Sequence, residues 1–208
     1  MPNLPNLPKA SKSPEPPERP ARERANAAKT HAELLAVAES LVNSRGVAAL
    51  SMNAVAAAAD VGVGTVYRRF GDQGGLVEAL MIHREQQLQD AMRAGPPPLG
   101  PGAPAPERIR AFLHAYADVL DTYAPLMAAA EATMTPGRRF RTGPYEVHRQ
   151  HLAALLTEAG RRTRADYLAD ALLAPLAAGL FTLQRHEEGN SLESIKDGLD
   201  ALVSGLDR

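Results

Sequence analysis

The side chains best suited to chemistry gather in one stretch, SMNAVAAAADVGVGTVYRRFGDQGGLVEAL, from Ser51 to Leu80. Thr65, Tyr67, Arg68 and Arg69 place hydroxyl and guanidinium groups close together there. Such groups are the usual donors to phosphate oxygens, and arginine pairs with the O6 and N7 edge of guanine. Val66 and Phe70 are four apart, so on a helix they share a face and anchor it inward while the polar residues turn outward. That surface suits binding to a nucleic-acid groove rather than bond making. Gly62-Val63-Gly64 is no phosphate cradle, since it has no preceding strand, no third glycine and no Gly-Lys-Ser/Thr. His148 and His151, three apart on a helix, could reach one metal ion. His151 is also in line with Val147 and Leu155, which suits a histidine in a core or at a cavity wall. No nucleophile–base arrangement stands out. No catalytic residue, metal or cofactor is expected.

The elements that hold the Ser51–Leu80 stretch are two short helices and a turn. Ser51 can cap a helix from Met52 to Ala59, built almost wholly of Ala and Val for close packing. Asp60-Val61-Gly62 turns the chain into a second helix, about Val63 to Phe70. Asp72 can cap the next helix, which runs to about Met92 and whose free N–H groups could grip another phosphate. Two short helices with a tight turn form a helix-turn-helix, whose second helix enters the DNA major groove. Ahead of it, Leu34, Leu35, Ala38, Leu41 and Val42 line one face of a helix from about Ala27 to Ser44, with Gly46 as its stop.

Beyond the stretch the chain still reads as helix, without alternating β-branched strands. Ile109, Phe112, Leu113, Tyr116, Val119, Leu120 and Tyr123 recur at helical spacing. A shorter helix follows around Pro125–Thr135, and another begins near Pro144. Asp166 to His186 reads as one long segment bent at Pro175 and apolar nearly all round from Ala171 to Leu183. Asn190 with Glu193 resembles a capping box. The last helix carries Leu192, Ile195, Leu199, Leu202, Val203 and Leu206 on one side. The expected fold is all-α with about nine helices.

Composition bounds the rest. The 208 residues hold no cysteine, so disulfide scaffolds, thiolate metal sites and cysteine nucleophiles are excluded. The net charge of −1 leaves phosphate binding to a local patch. Seven of the 17 prolines lie in residues 1–20 and six in 96–106. Neither stretch can be helix or sheet interior. The expected division is a disordered arm at 1–25, a helix-turn-helix domain at 26–71, a connecting fourth helix at 72–93, a Pro/Gly loop at 94–106 and a second helical domain at 107–208. No run of about 18 apolar residues is evident, nor a secretory signal. A soluble, cytoplasmic protein without a membrane partner is expected.

The run GTVYRRFGDQGGLVEAL resembles the TetR family of transcriptional regulators: Gly-Thr, an aliphatic residue, Tyr, a basic or polar pair, Phe, a short turn, then an amphipathic fourth helix. The likeness covers about Ala27 to Met81. It implies a homodimer whose N-terminal three-helix units bind a palindromic operator in double-stranded DNA, usually as a repressor. It also implies a C-terminal ligand-binding and dimerisation domain, in which a small-molecule effector changes the separation of the two units. Ser51, Asn53, Gly64, Thr65, Tyr67, Arg68 and Arg69 are the DNA-contacting candidates. Thr65 and Tyr67 match family positions that contact the DNA backbone or bases, and Arg69 sits where the family often has a phosphate-binding His. Many members have Ser at Gly62 and Lys near Gln73, so a cap and a positive charge are missing here.

In the second domain, Phe112, Tyr116, Tyr123, Met127, Met134, His148, His151 and Phe181 are candidates for the wall of an effector cavity. The bland reading of each is plain core. The apolar stretch beside an amphipathic final helix points to a subunit interface made by the last two helices, with Ala174, Ala178, Leu199, Leu202 and Leu206 as candidates. A helical-bundle enzyme or metal protein, and a DNA-binding regulator without ligand control, are the alternatives.

Overall fold

The computed structural model of the chain describes residues 19–132, 135, 137–141 and 143–205, with side chains from residue 31 onward, Arg139 apart. Residues 1–18 of the expected arm, and the candidates Met134 and Leu206, lie outside the described residues. Nine α-helices and no strand occur among those described: α1 (Arg19–Arg45), α2 (Met52–Ala58), α3 (Val63–Phe70), α4 (Gln73–Ala94), α5 (Ala105–Ala132), α6 (Gly143–Glu158), α7 (Ala165–Leu173), α8 (Ala178–Thr182) and α9 (Leu192–Gly205).

Two apolar cores organise them. The first joins Leu34, Leu35, Ala38, Leu41 and Val42 of α1 to Val55 of α2, Val66 and Phe70 of α3, and Leu76 and Leu80 of α4. The expected inward stripe of the first helix is therefore its buried face. The second core is built on α5, with Phe112, Leu113, Ala117 and Leu120 packed against Leu152 and Leu156 of α6, Leu172 of α7, Phe181 of α8 and Leu199 and Val203 of α9. α4 belongs to both, giving Leu76 and Leu80 to the first and Leu88 and Met92 to the second.

Four local expectations need correction. α1 starts at Arg19 rather than near Ala27. Pro20 falls in its first turn, where the missing N–H costs no hydrogen bond. α5 runs unbroken through Pro125, where two helices were expected. Tyr123 and Ala124, the two residues before it, are fully packed, and that burial offsets a proline penalty of about 3 kcal/mol. Conversely, Pro175 breaks the 166–186 segment instead of bending it. α7 gives way to a 3-10 turn at Ala174–Leu176, then Ala177 is extended with ψ 129°, then come α8 and a π turn at Leu183–Glu187. This region, Arg162–Glu187, is long and apolar enough to cross a membrane by length and composition. Its broken helices pack on α5 and α6 instead. Finally, Ser191 rather than Asn190 caps α9, its Oγ accepting from Ser194 N at 3.0 Å.

Candidate nucleic-acid interface

Local chemistry sets each end of the α2–α3 unit. Ser51 is extended at φ −148° and its Oγ accepts from Ala54 N at 3.1 Å, so it caps α2 as expected. α2 buries Met52, Val55 and Ala56 and leaves Asn53 exposed. Its C-terminus closes with Val61 N donating to Ala56 O at 3.0 Å and Asp60 N donating to Ala57 O at 3.4 Å. That crossed pair of bonds needs a left-handed residue between the helices. Asp60 supplies it at φ 54°, the one non-glycine with positive φ among the described residues. Gly62 then starts α3 without a side-chain cap, as the missing Ser predicted.

On α3 the four-residue spacing acts as expected. Val66 and Phe70 are buried, whereas Gly64, Tyr67, Arg68 and Arg69 are exposed and Thr65 is half-buried. Tyr67 shows 50 % of its surface to solvent. Arg68 Nη2 donates to Thr65 Oγ1 at 3.2 Å, which orders both side chains on the outer face. No Cβ placed on Gly64 would meet an atom within 4 Å, so packing within the chain does not demand glycine there. The His31 ring of α1 lies 5.1 Å from Phe70. Burial, then the charges of Arg69 and His83, holds its pKa below the usual imidazole value.

The junction to α4 was only partly legible. Asp72 caps α4 as expected, accepting from Gly75 N at 2.9 Å. That N–H, one of the donors expected for phosphate, is thus already taken by a carboxylate. Gly74-Gly75 reads in sequence as a weak first turn, but a Cβ on Gly75 would sit 2.1 Å from the Phe70 carbonyl oxygen. Gly75 is what lets α4 start against the end of α3. Gln73, read as a lost lysine, donates through Nε2 to Leu50 O at 3.0 Å and ties α4 to the entrance of α2. Further along α4, Arg84 hydrogen-bonds Glu39 of α1, and Gln87 Nε2 donates to the same carboxylate at 3.3 Å. Nothing local in the sequence signals that pairing.

The second domain brings some cavity candidates together and sequesters others. Phe112, Tyr116, His148 and His151 meet, with His148 4.7 Å from Tyr116 and 5.2 Å from Phe112 by ring centroids, and His151 5.5 Å from Phe112. Phe112 and Phe181 are nevertheless fully buried core, and Tyr123 belongs to the first core, so these three do not line an open cavity. Met127 lies half-buried between the two cores. His148 is 1 % exposed and its Nε2 lies 2.9 Å from Glu85 Oε1. Burial raises the Glu85 pKa, but the hydrogen bond and charge of His148, with Gln89, outweigh it and hold the carboxyl below its usual range. Among the described residues, no three His, Asp or Glu side chains converge as a metal centre would need.

Two open clefts do occur. One of about 490 Å³ is lined by Phe140, Tyr145, Arg149, Asp170, Leu173 and Ala174. The other, about 420 Å³, is lined by Gln89, Met92, Arg93, Arg108, Val147 and His151. Of the expected cavity residues, only His151 lines either. Among the other lining residues, Gln89, Arg93, Arg108 and Arg149 were missed because isolated Arg and Gln on helices read as solvated surface. Among the interface candidates, Ala178 and Leu199 face the chain's own core, so they cannot meet a partner, while Ala174 and Leu202 are exposed. Tyr167, Leu180 and Leu183, which were not singled out, are exposed as well.

Comparison with known proteins places this geometry. Residues 34–80 match the family described as "Bacterial regulatory proteins, tetR family". No curated protein sequence matches the chain. Among solved structures, a candidate transcriptional regulator from Pseudomonas aeruginosa PAO1 aligns over 86 % of this chain and 91 % of its own, at 21 % identity and a TM-score of 0.55. A candidate TetR-family transcriptional regulator from Rhodococcus sp. aligns over 85 % and 98 %, at 19 % identity and a TM-score of 0.51. At such identities the likeness is one of fold. The exposed α3, the capped helices around it and the match over 34–80 lead to one assignment: residues 34–80 form a domain of the tetR family of bacterial regulatory proteins, on a chain that shares the fold of these solved regulators.

Proposed function

We propose that the protein is a homodimeric, cytoplasmic repressor that binds a pseudo-palindromic operator and is released from it by a small-molecule effector. The observation that carries this reading is the outer face of α3, where Gly64, Thr65, Tyr67, Arg68 and Arg69 project from a helix anchored by Val66 and Phe70. Each group has a role there. Gly64 lets a phosphate approach the backbone, Thr65 and Tyr67 donate hydroxyls to it, and the arginines reach base edges or phosphates. Ser51 and Asn53 flank the same groove from the start of α2. Two such helices in a dimer reach consecutive major grooves when their centres are separated by about 34–36 Å or a multiple of it.

Release follows if the effector prefers a dimer geometry in which that spacing is lost, and it can shift the balance only by its differential affinity for the two states. α4 is the element able to transmit this, because it carries residues of both cores and holds α1 through Arg84 and Glu39. Selection of bound DNA from a random pool, followed by salt-dependent titration, tests the reading. Expected are a two-fold symmetric consensus, a uniform loss of affinity in Tyr67→Ala, and relaxed specificity at one base pair in Arg68→Ala worth about 1–3 kcal/mol. Equal affinity for every sequence at every salt concentration would refute it.

A further inference from the structure

The 420 Å³ cleft between α4, α5 and α6 carries groups with unspent hydrogen-bonding capacity. Arg108 of α5 is half-buried, has no acidic partner among the described residues, and its Nε is buried without a hydrogen bond. A guanidinium nitrogen buried without a hydrogen-bond partner is unfavourable, and native structures keep few such groups. His151 of α6 lines the same cleft, and its Nε2 is likewise buried without a partner. Burial, then the charges of Arg108 and His148, pushes its pKa down to about 4, so at neutral pH it is an uncharged ring with one N–H to give. Glu85, the neighbouring acid on α4, is engaged by His148 and by Gln89, whose Nε2 donates to Oε1 at 2.6 Å. Arg93 stands at the rim, paired to Asp90 at 2.5 Å. The remaining wall is apolar, with Met92, Val147 and the Phe112 ring behind His151.

The 490 Å³ cleft offers no such surplus. There Arg149 is held by Glu146 at 2.9 Å and Asp166 at 2.7 Å, and Tyr145 donates to Asp170 at 2.6 Å. We propose that the α4–α5–α6 cleft binds a small organic anion, a carboxylate on an apolar or aromatic body, with Arg108 and His151 holding the carboxylate and Met92 and Val147 the body. Its volume falls within the range of small-molecule sites. A bidentate guanidinium–carboxylate pair is among the strongest contacts such a wall can make. The site rests on the effector-responsive reading above and gives the effector a chemical class.

The test is calorimetric titration of the full-length protein with benzoate and octanoate, set against benzamide and benzylamine as neutral and cationic bodies of matched size. Both anions should bind, and benzamide and benzylamine should bind at least about tenfold more weakly, a difference of about 1.4 kcal/mol. Arg108→Gln should lose at least about tenfold in anion affinity at unchanged thermal stability, because Arg108 has no partner to forfeit. His151→Gln, which keeps an N–H donor, should retain more affinity than His151→Phe. No binding of either anion at millimolar concentration, equal binding of benzamide, or unchanged affinity in Arg108→Gln would overturn the site. Repeating the titration on the DNA complex separates the two readings. An anion bound through Arg108 that leaves DNA affinity unchanged supports the site and refutes effector release.

Discussion

Tyr67 and Phe70 stand three residues apart on α3, yet their substitution should be felt in different experiments. Phe70 is packed in the first core, and Phe70→Ala should cost about 3–5 kcal/mol in urea denaturation. Tyr67 is half exposed, so Tyr67→Ala should shift stability by less than about 0.5 kcal/mol while DNA binding falls. Gly64→Ala sharpens the contrast. The site is open to a Cβ, so helix stability should rise by up to about 1 kcal/mol; if the backbone there approaches phosphate, DNA affinity should drop in the same variant. Unchanged DNA affinity would remove Gly64 from the interface. The inward pair Val66 and Phe70 was readable because its spacing is local. The need for glycine at 75 was not, since it arises from the Phe70 carbonyl across the α3–α4 junction. His151 adds a pH signature. Its folded pKa of about 4 lies below the ordinary 6.5, so the unfolded chain takes up the proton first as pH falls. Its contribution to stability is therefore whole above about pH 6.5 and is lost towards pH 4. Glu85, held below its usual pKa, adds an acid-side loss of the same sign. Denaturation melts from pH 7 to 4 should decline less steeply in His151→Gln than in the wild type.

At the scale of elements, prolines illustrate how far a sequence can be read. The rule that proline ends a helix failed at Pro125 and under-predicted Pro175. Pro125 is on the exposed side of α5 with buried Tyr123 and Ala124 preceding it, so packing overrides the local penalty. Beyond Pro175 the buried residues change sides: Leu172, Leu173 and Leu176 would share one face of a continuous helix and Ala178 and Phe181 the opposite one, so only a broken helix buries them all. Propensity supplies no means of weighing those opposing demands. α4 was legible as a helix but not as a bridge, because Glu39 and Arg84 are 45 residues apart. Their side chains are 16 % and 26 % exposed, too buried for the pair to be mere surface charge. Glu39→Gln leaves Arg84 half-buried without its carboxylate and should destabilise the chain by about 1–2 kcal/mol, an unpaired-charge penalty lessened by solvent access. Hydrogen exchange should accelerate in α1 and the upper part of α4 and leave α6 and α9 unchanged. Exchange accelerated equally in α6 and α9 would mean that the two cores unfold as one unit and that the pair is no local link.

For the whole molecule, the open question is what covers the apolar surface opposite the cores. Tyr167 of α7 is 77 % exposed, and Leu180 of α8, Leu183 just beyond it and Leu202 of α9 are each exposed by two-fifths or more. α8 and α9 both lie against α5, which is why Ala178 and Leu199 turn inward and cannot join a subunit contact. A two-fold interface built on the last helices must then use Leu180, Leu183 and Leu202, a set the sequence could not separate from the core because α8 is apolar on every side. Leu202→Glu places a charge on that surface without entering the core, so the monomer should keep its helicity and its thermal transition. If the surface is the dimer contact, sedimentation should show the wild type as a dimer and Leu202→Glu as a monomer. The variant should also lose most of its affinity for a two-half-site operator while matching the wild type on a single half-site, since each α3 is intact and only the second, tethered contact is gone. A dimer that persists in Leu202→Glu and in the double variant Leu180→Glu/Leu202→Glu would place the subunit contact elsewhere.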